Sequence, residues 1–419
     1  MGRTQASNSS YQAAILLLTL TLILLALVLV HYFTDNLPFL RLLLLGANAG
    51  KSSETSRYSS ESRCRRSEQK CDLFSGNWIP YRGGGPYYTN RSHCVIDGGQ
   101  NCIKFGRRDT NFMKWRWKPD ECELPLFDPV QFLELVRGKS MAFVGDSLSR
   151  NQFQSLGCLL SSVVHYENDS SMEEDESRFV QWFYKDYKFT LTHVHSEYLV
   201  KAQGVDPAPK KPIVLYLNDV DETWASVIRD FDYVIISSGH WYSKPLMYYE
   251  KGELVGCYQC NQTNVTDLTG YYGYRVAFET AFRALIDHRR SFKGKVFLRT
   301  ISPSHFEFKD KGGRGFCPRE QPYEKQEMSF DWYIGTYYMI QMEEFRKAQR
   351  EARKKGLNFR LLDVTEAMRL RPDGHPNIYG LRPGQKIRST DCLHWCLPGP
   401  IDTWNELLFQ MLKNEKIAN

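Results

Sequence analysis

The most continuous apolar stretch of the chain lies near its start. The run from Ala13 to Val30, which aromatic residues extend to Phe33, carries no charged side chain. About 20 apolar residues suffice for a helix to cross a bilayer. A cleaved signal peptide is disfavoured because the run is too long and no small-residue cleavage site follows it. Arg3, without an acidic neighbour, favours a cytosolic N-terminus. We expect a cytosolic tail at residues 1–12 and a transmembrane anchor at residues 13–33.

The hydrophobic pattern breaks down after the anchor. A second apolar run, Leu37–Leu45, is interrupted by Pro38 and Arg41 and is too short to span a membrane. From Gly46 to Lys70 the sequence is rich in Ser, Arg, Glu and Gly and has almost no large apolar residue. Such a composition cannot bury enough surface to offset the entropy lost on ordering. We therefore predict a flexible stem over residues 34–70.

Residues 71–128 combine four cysteines with many Trp and Tyr residues around the triplet Gly83–Gly85. Neither the helical nor the strand period is evident there. We expect a loop-rich region that cross-links hold in place.

From residue 129 onward, short apolar runs alternate with longer amphipathic stretches. Residues 331–355 repeat apolar side chains at helical spacing, and Gly356 is a helix stop. Strands separated by helices predict an α/β fold, a parallel sheet flanked by helices. One body over residues 129–419 follows, onto which the Cys-rich region is expected to pack. The strand candidates are Met141–Val144, Tyr233–Ser237, Val296–Thr300 and Phe359–Val364.

Cysteines and glycosylation sequons both indicate an oxidising compartment. Disulfides persist in the secretory pathway, and sequons act only there. Eleven cysteines leave at least one that is unpaired or pairs between chains, and Cys64 in the stem is the candidate. A zinc site is disfavoured because the CxxC at Cys257 has no second CxxC, so no metal is expected. The disulfide candidates are Cys71, Cys94, Cys102, Cys122, Cys158, Cys257, Cys260, Cys317, Cys392 and Cys396, and the predicted glycosylation sites are Asn90, Asn168, Asn261 and Asn264.

Composition narrows the function classes. The net charge of +6 is scattered rather than striped, so no nucleic-acid partner is expected. Neither a P-loop nor a dinucleotide-binding glycine fingerprint occurs, so no bound cofactor is expected. The 24 Tyr, 24 Phe and 9 Trp suit a large core, and some suit a groove that stacks on sugar rings.

The first chemical motif is the sequence FVGDSLSRN at residues 143–151. An apolar strand ends there, a Gly-Asp-Ser turn follows, and a helix begins. Ser147 would then stand at the carboxyl end of the sheet, where open α/β folds bind ligands. The N–H groups of the helix start are able to hold an oxyanion. The alternative is that Asp146 or Ser147 only caps the helix.

The second motif, DCLHWC, begins at Asp391. Serine needs a base within hydrogen-bond reach, and His394 is able to serve, with Asp391 three residues earlier to orient it. Alone, this pattern also fits an incidental surface histidine beside a structural aspartate. Paired with the upstream Gly-Asp-Ser, it predicts a nucleophilic serine site.

The two motifs in this order resemble the SGNH/GDSL esterase superfamily. Longer blocks are similar to the plant trichome birefringence-like family, a branch of the PC-esterases associated with polysaccharide O-acetyltransferases. The match covers the chain from about Cys71 to its C-terminus. The matching blocks are CDLFSGNW at 71–78, WRW at 115–117, GDSLSRNQ at 145–152, SGHW at 238–241, RTISPSH at 299–305 and DCLHW at 391–395.

The resemblance implies an SGNH-like fold and a triad of Ser147, His394 and Asp391. It also implies that Gly239 is an oxyanion donor, although a plain turn is the alternative. The family's usual Gly-x-Asn-Asp block is missing, and Asn151 is a substitute candidate. His240 and Trp241 are candidates for the substrate groove or for packing.

Arg150 is expected either to contact substrate or to brace the Ser147 turn through a buried ion pair. His305, in the RTISPSH block, is expected to be structural.

The resemblance implies a Golgi membrane enzyme, single-pass type II with a lumenal catalytic body. It would transfer acetyl to hemicellulose through an acetyl-serine, with xyloglucan favoured and mannan or xylan as competitors. The partners would be the polysaccharide acceptor, the Golgi membrane and an acetyl-supplying membrane protein, with acetyl-CoA or a relayed acetyl group as donor. The alternatives are an acetylesterase with the same triad and a non-catalytic cell-wall polysaccharide-binding protein.

Overall fold

The computed structural model describes Thr19, Thr21 and residues 71–83, 85–89, 92, 94–168, 178–205, 211–287, 292–309, 315–327, 332–380 and 390–418. The chain divides into two units, Met1–Gln69 and Lys70–Asn419. In the first unit only the two threonines, both helical, are described. The predicted tail, anchor and stem otherwise lie outside the described residues. None of the described helices is long and apolar enough to cross a membrane.

The Cys-rich region has little regular structure, as expected. Strand β1 (Gly76–Pro80) pairs antiparallel with β2 (Trp115–Pro119). Both Trp78 and Trp117 are buried, and their rings meet edge to face at 5.8 Å. Each indole N–H donates to a backbone carbonyl, of Ala367 and Leu73 respectively. This two-stranded ribbon is thereby fixed to Ala367 of the body.

A seven-stranded sheet forms the centre of the body. Its strands are β3 Ser140–Gly145, β4 Glu167–Asn168, β5 Phe179–Tyr184, β6 Phe189–His195, β9 Tyr233–Ser237, β12 Lys295–Arg299 and β15 Asn358–Leu362. They follow the spatial order β15-β12-β9-β3-β6-β5-β4, and β15, β12, β9, β3 and β6 pair in parallel. The pairs β4–β5 and β5–β6 are antiparallel.

Both faces of this sheet are buried, which explains the continuous apolar strands. In β3, Met141 and Phe143 join one hydrophobic core while Ala142 and Val144 join the other. This alternation is the two-residue period of a strand. Helices therefore cover the sheet on both sides, as the sequence predicted.

The described α-helices divide between the two cores. Their bounds are α1 Pro129–Leu135, α2 Ser147–Leu160, α3 Glu222–Ala225, α4 Gly270–Asp287, α5 Trp332–Lys354, α6 Thr365–Arg369 and α7 Asp402–Ala418. The core around Phe143 contains side chains of α1, α2, α6 and α7, and the other core contains side chains of α3, α4 and α5.

The prediction of a parallel sheet was wrong at one edge and incomplete. Strand β5 runs antiparallel to both of its neighbours, β4 and β6. A short 3₁₀ turn at Lys185–Tyr187 returns the chain directly from β5 into β6. A second, four-stranded sheet with the order β11-β10-β8-β7 was not predicted. Its strands are β7 Val200–Gln203, β8 Ile213–Val220, β10 Leu246–Glu250 and β11 Glu253–Tyr258, and a separate small pair joins β13 Phe308–Lys309 to β14 Gly315–Phe316.

The four predicted strands coincide within one or two residues with β3, β9, β12 and β15. The predicted helix at 331–355 is α5, Trp332–Lys354. The helix ends two residues before Gly356, the predicted stop, whose φ of +77° lies in the left-handed region that glycine adopts at little cost.

All ten cysteines predicted to pair form disulfides. The bonds are Cys71–Cys122, Cys94–Cys158, Cys102–Cys396, Cys257–Cys260 and Cys317–Cys392. The second and third join the Cys-rich region to the body. Of the predicted glycosylation sites, Asn261 and Asn264 are exposed. Cys64, Asn90 and the side chain of Asn168 lie outside the described part of the chain.

Candidate active site

The turn that presents Ser147 depends on a close approach of two strands. Gly145 ends β3 beside Ser237 of β9 and has a φ of +150°. A Cβ at this glycine would lie 1.9 Å from the Ser237 carbonyl oxygen, so no other residue fits. Asp146 then caps α2 by accepting from the Leu148 N–H at 3.0 Å. Ser147 therefore stands at the first helical position, at the carboxyl end of the sheet.

The structure brings the three predicted triad residues together. The Ser147 Oγ lies 2.7 Å from the His394 Nε2, and the His394 Nδ1 lies 2.7 Å from the Asp391 Oδ2. A carboxylate only accepts hydrogen bonds, so Nδ1 carries the hydrogen and Nε2 accepts from the serine hydroxyl. His394 is thus oriented as a base toward a hydroxyl 247 residues away in sequence.

Asp391 is held in its charged form. Burial opposes ionisation of its carboxyl group, but the charge of His394 and several hydrogen bonds to the carboxylate outweigh burial, so its pKa lies well below the usual value. The backbone N–H groups of Leu393 and His394 donate to its Oδ1 at 3.0 and 2.9 Å. The carboxylate therefore both orients the imidazole and is able to stabilise its protonated form.

The loop that carries His394 is fixed at both ends. Cys392 is bonded to Cys317 and Cys396 to Cys102, so a disulfide lies two residues to each side of the histidine. Both cysteines of the loop are fully buried. The loop is therefore preorganised, as a precise site requires.

Asn151 has a different contact from the predicted oxyanion donation. Its side chain is fully buried, accepts from the Trp395 N–H at 2.9 Å and donates to the Trp395 carbonyl at 3.3 Å. Helix α2, which presents Ser147, thus also holds the residue next to His394. We assign Asn151 a positioning contact.

Arg150 makes a bracing contact. Its guanidinium lies 3.6 Å from the Asp97 carboxylate, and both side chains are partly buried. The pair links the start of α2 to the Cys-rich region. Its geometry matches the predicted bracing ion pair more closely than a substrate contact.

The segment after β9 lies beside the Ser147 turn, because β3 and β9 are neighbours. Gly239 precedes a 3₁₀ turn at His240–Ser243, and a Cβ on it would lie 2.9 Å from the Ile301 side chain. His240 donates from Nε2 to the Ser302 carbonyl at 2.6 Å. Burial lowers the His240 pKa, so a neutral imidazole is favoured.

Trp241 is half-buried against the aromatic core. Its ring meets Tyr198 edge to face at 6.0 Å, and the Lys244 ammonium lies 5.9 Å from its centre. Packing, one of its two predicted roles, accounts for these contacts.

Sequence reasoning missed His375. This fully buried imidazole donates from Nδ1 to the His394 carbonyl at 2.7 Å and stacks on Trp395 at 4.0 Å. Its Nε2 lies 2.7 Å from Nδ1 of His305. Burial holds the His375 pKa well below its usual value. No short sequence motif identifies His375, because the His394 carbonyl that it contacts lies 19 residues further along the chain.

The arrangement is able to perform acyl transfer. A serine hydroxyl, a base and an orienting carboxylate form one hydrogen-bonded series at a helix N-terminus. Among the described residues no group of three or more His, Cys, Asp and Glu side chains is arranged to hold a metal ion.

Comparisons with known proteins place the chain in a family. Residues 124–411 match the PC-esterases, a GDSL/SGNH-like acyl-esterase family found in Pmr5 and Cas1p, and residues 69–123 match the PMR5 N-terminal domain. The chain is 50% identical to protein trichome birefringence-like 19 of Arabidopsis thaliana over 370 residues, 87% of this chain and 86% of that protein.

Two further relatives carry an activity in their names. Xyloglucan O-acetyltransferase 4 of Populus trichocarpa is 42% identical over 351 residues, 83% of this chain and 82% of that protein. Xyloglucan O-acetyltransferase 1 of Arabidopsis thaliana is 38% identical over 363 residues, 84% and 82% respectively. The chain therefore belongs to the PC-esterase family of GDSL/SGNH-like acyl-esterases, among the trichome birefringence-like proteins.

Proposed function

We propose that this chain is a polysaccharide O-acetyltransferase that works through an acetyl-serine intermediate at Ser147. The observation that carries the proposal is the continuous hydrogen-bonded series from Asp391 through His394 to Ser147. The relatives named xyloglucan O-acetyltransferases supply the reaction class.

In the first half-reaction, His394 Nε2 takes the proton of the Ser147 hydroxyl while Oγ attacks the carbonyl carbon of the acetyl donor. The tetrahedral oxyanion accepts hydrogen bonds from the N–H groups of Ser147 and Gly239. The protonated His394, stabilised by Asp391, then gives its proton to the leaving group. Acetyl-Ser147 remains.

In the second half-reaction, a sugar hydroxyl takes the place of the leaving group. His394 removes the hydroxyl proton, the sugar oxygen attacks the acetyl carbon, and Ser147 leaves with the proton from His394. Water would give hydrolysis by the same route, so the bound glycan must be oriented better than water.

The acceptor is hemicellulose, with xyloglucan favoured by the names of the relatives and mannan or xylan as competitors. The acetyl donor is acetyl-CoA or an acetyl group relayed by a membrane protein. No bound cofactor is needed for either half-reaction, since Ser147 itself carries the acetyl group.

We place the protein in the Golgi membrane with its catalytic body in the lumen. The apolar run at residues 13–33 supports an anchor, and five disulfides with the exposed Asn261 and Asn264 support an oxidising lumen.

An acetylesterase is the second candidate, because the matched family is described as acyl-esterases and the same intermediate serves both reactions. The two candidates differ only in whether a sugar hydroxyl or water takes the acetyl group.

The test is transfer from an activated acetyl ester to deacetylated xyloglucan, mannan and xylan oligosaccharides, read by mass. We expect the full chain to add the mass of an acetyl group to one glycan class, and Ser147→Ala to lower the rate by about 10³-fold or more. Ser149→Ala is the matched control, because its buried hydroxyl lies on the same helix without a hydrogen-bond partner among the described residues. Donor hydrolysis without glycan acetylation would favour the esterase, and turnover independent of Ser147 would overturn the mechanism.

A further inference from the structure

A cleft lies where the Cys-rich region meets the body. It encloses about 280 Å³, near the lower end of roughly 300 Å³ at which small-molecule sites begin. None of Ser147, His394 and Asp391 lines it. Residues of the β1–β2 ribbon and of the loop before residue 89 form one wall. Residues of the segment before α7 and of its first turns form the other wall.

The wall on the side of the β1–β2 ribbon is aromatic. Trp78, Tyr81, Tyr87, Phe112 and Trp115 all line the cleft, and Tyr81 and Trp115 are half-buried, so part of each side chain stays accessible. Flat aromatic faces bury apolar C–H surface at a low entropic cost because they rotate about only two bonds. Such faces suit the apolar faces of sugar rings.

Polar groups with opposite hydrogen-bonding roles stand among these rings. The Arg116 guanidinium, half-buried, lies 5.2 Å from the centre of the Tyr81 ring and offers only donors. Glu406, on the first turns of α7, accepts from the Tyr87 hydroxyl, and both residues line the cleft. A sugar hydroxyl both donates and accepts, so a guanidinium and a carboxylate in one cleft match its needs.

A packing interface between the two regions would explain buried aromatic rings, but Tyr81, Trp115 and Arg116 keep part of their side chains accessible beside the cleft. Arg371 lies beneath them, because its guanidinium is fully buried and packs over the Trp78 ring at 4.2 Å. The accessible aromatic and charged side chains are therefore the groups able to contact a ligand.

The cleft is held open by covalent and polar links. The Cys71–Cys122 bond joins the two ends of the Cys-rich region, and Cys102–Cys396 links that region to the body. Arg371 is fixed by Asp373 at 2.8 Å and by its donation to the Phe112 carbonyl. A preformed cleft loses little entropy when it binds a ligand.

We propose that this cleft is a glycan subsite that binds a sugar segment of the polysaccharide acceptor away from the acetylated hydroxyl. The identity of the ligand rests on the proposed function. The subsite would lower the KM for long acceptors and leave the chemistry at Ser147 unchanged, since none of its residues touches the triad.

The binding test uses the full chain carrying Ser147→Ala, so that no turnover occurs, and calorimetry with xyloglucan, mannan and xylan oligosaccharides. We expect Trp115→Ala and Tyr81→Ala each to raise the Kd for the bound glycan by roughly tenfold. Trp332→Ala is the matched control, because this tryptophan is 77% exposed and lies outside the cleft. The proposal is overturned if the cleft variants bind like the control, or if none of the three glycans binds.

A turnover readout separates a subsite from a structural role. With Ser147 intact, the cleft variants should raise the KM for oligosaccharide about tenfold while kcat and donor hydrolysis without glycan stay unchanged. A fall in donor hydrolysis would show damage to the fold and overturn the proposal. If Trp115→Ala does not fold, the half-buried Tyr81 and an Arg116→Gln variant carry the same test.

The two proposals fail in different ways. If Ser147→Ala leaves turnover unchanged while the cleft variants bind glycan weakly, the acetyl-serine mechanism is rejected and the subsite is retained. Ser147-dependent transfer with an unchanged KM in the cleft variants would do the reverse.

Discussion

The Cys-rich region and the sheet body are stabilised in different ways. Within residues 71–123 the structure describes one two-stranded ribbon and a single 3₁₀ turn, whereas the body holds a seven-stranded sheet buried on both faces. The ribbon region is held by Cys71–Cys122, Cys94–Cys158 and Cys102–Cys396 and by buried aromatic rings. The body positions Ser147 by pairing Gly145 with Ser237 of β9 and by the Asp146 cap of α2.

The difference teaches how an irregular segment contributes to a precise site. Arg107, buried in the Cys-rich region, donates to the carbonyls of His375 and Asp373, and Cys102 holds Cys396. The ribbon region thus supports the histidine loop, while the sheet supports the serine. Cross-links replace the regular secondary structure that the loop lacks.

The largest expected effect is on the chemistry of the body. Asp391→Asn should lower kcat by about 10³–10⁴-fold, because the imidazole loses the carboxylate that fixes its tautomer. The unfolding temperature should change little. Asp232→Asn is the control, since that aspartate pairs with Lys139 at the amino end of β9. Steady-state kinetics within tenfold of the parent would remove Asp391 from the mechanism.

The next effect is on the link between the regions. Replacing both Cys102 and Cys396 with Ala should lower the free energy of unfolding by about 2–5 kcal/mol and reduce kcat. The bond joins residues 294 apart and lies two residues from His394. The Cys257–Cys260 bond joins residues only three apart and so closes a much smaller loop. Replacing both of these cysteines with Ala should lower the free energy of unfolding by only about 1–2 kcal/mol. Equal losses in urea titrations of the two variants would contradict this account.

The free energy of unfolding should also depend on pH, because buried carboxyl groups lie at the interface between the regions. Burial raises the pKa of Asp402 to about 7, although Ser155 and Tyr88 donate to it, and burial also raises the pKa of the nearby Glu406. The folded chain then binds a proton that the unfolded chain releases, so stability falls as pH rises from about 4 to 7. We expect a loss of roughly 4 kcal/mol from Asp402.

Urea unfolding at a series of pH values measures this slope. Asp402→Asn should flatten it, while Asp232→Asn, which changes a partly exposed carboxylate, should leave it in place. An unchanged slope in Asp402→Asn would assign the pH dependence to other groups.

The smallest expected effect concerns the fine position of the base. His375→Phe keeps a ring against Trp395 but cannot donate to the His394 carbonyl. We expect kcat to fall about tenfold with the acceptor KM unchanged, because only the loop geometry is altered. His375→Gln, which restores a donor, should recover part of the loss. A change in KM alone would instead place this ring in the substrate groove.

Local pattern was enough to predict much of the central sheet and, as two separate motifs, the three candidate triad residues. The apolar runs of β3, β9, β12 and β15 predicted strands, because both faces of the sheet bury them. Ser147 was predictable because a strand end, a Gly-Asp turn and a helix start are adjacent in sequence. Asp391 and His394 were predictable as a pair since three residues separate them.

Tertiary structure alone decided what depends on long-range proximity. The antiparallel edge and the second sheet follow from turns and from pairing partners that a two-residue period does not specify. The disulfide partners depend on distances between Cα atoms, such as 5.6 Å across the 294 residues from Cys102 to Cys396. The roles of His375 and Asn151 depend on contacts with the His394 loop across 19 and 244 residues. Local sequence sets backbone propensity and periodicity, whereas the packing of distant segments sets these contacts.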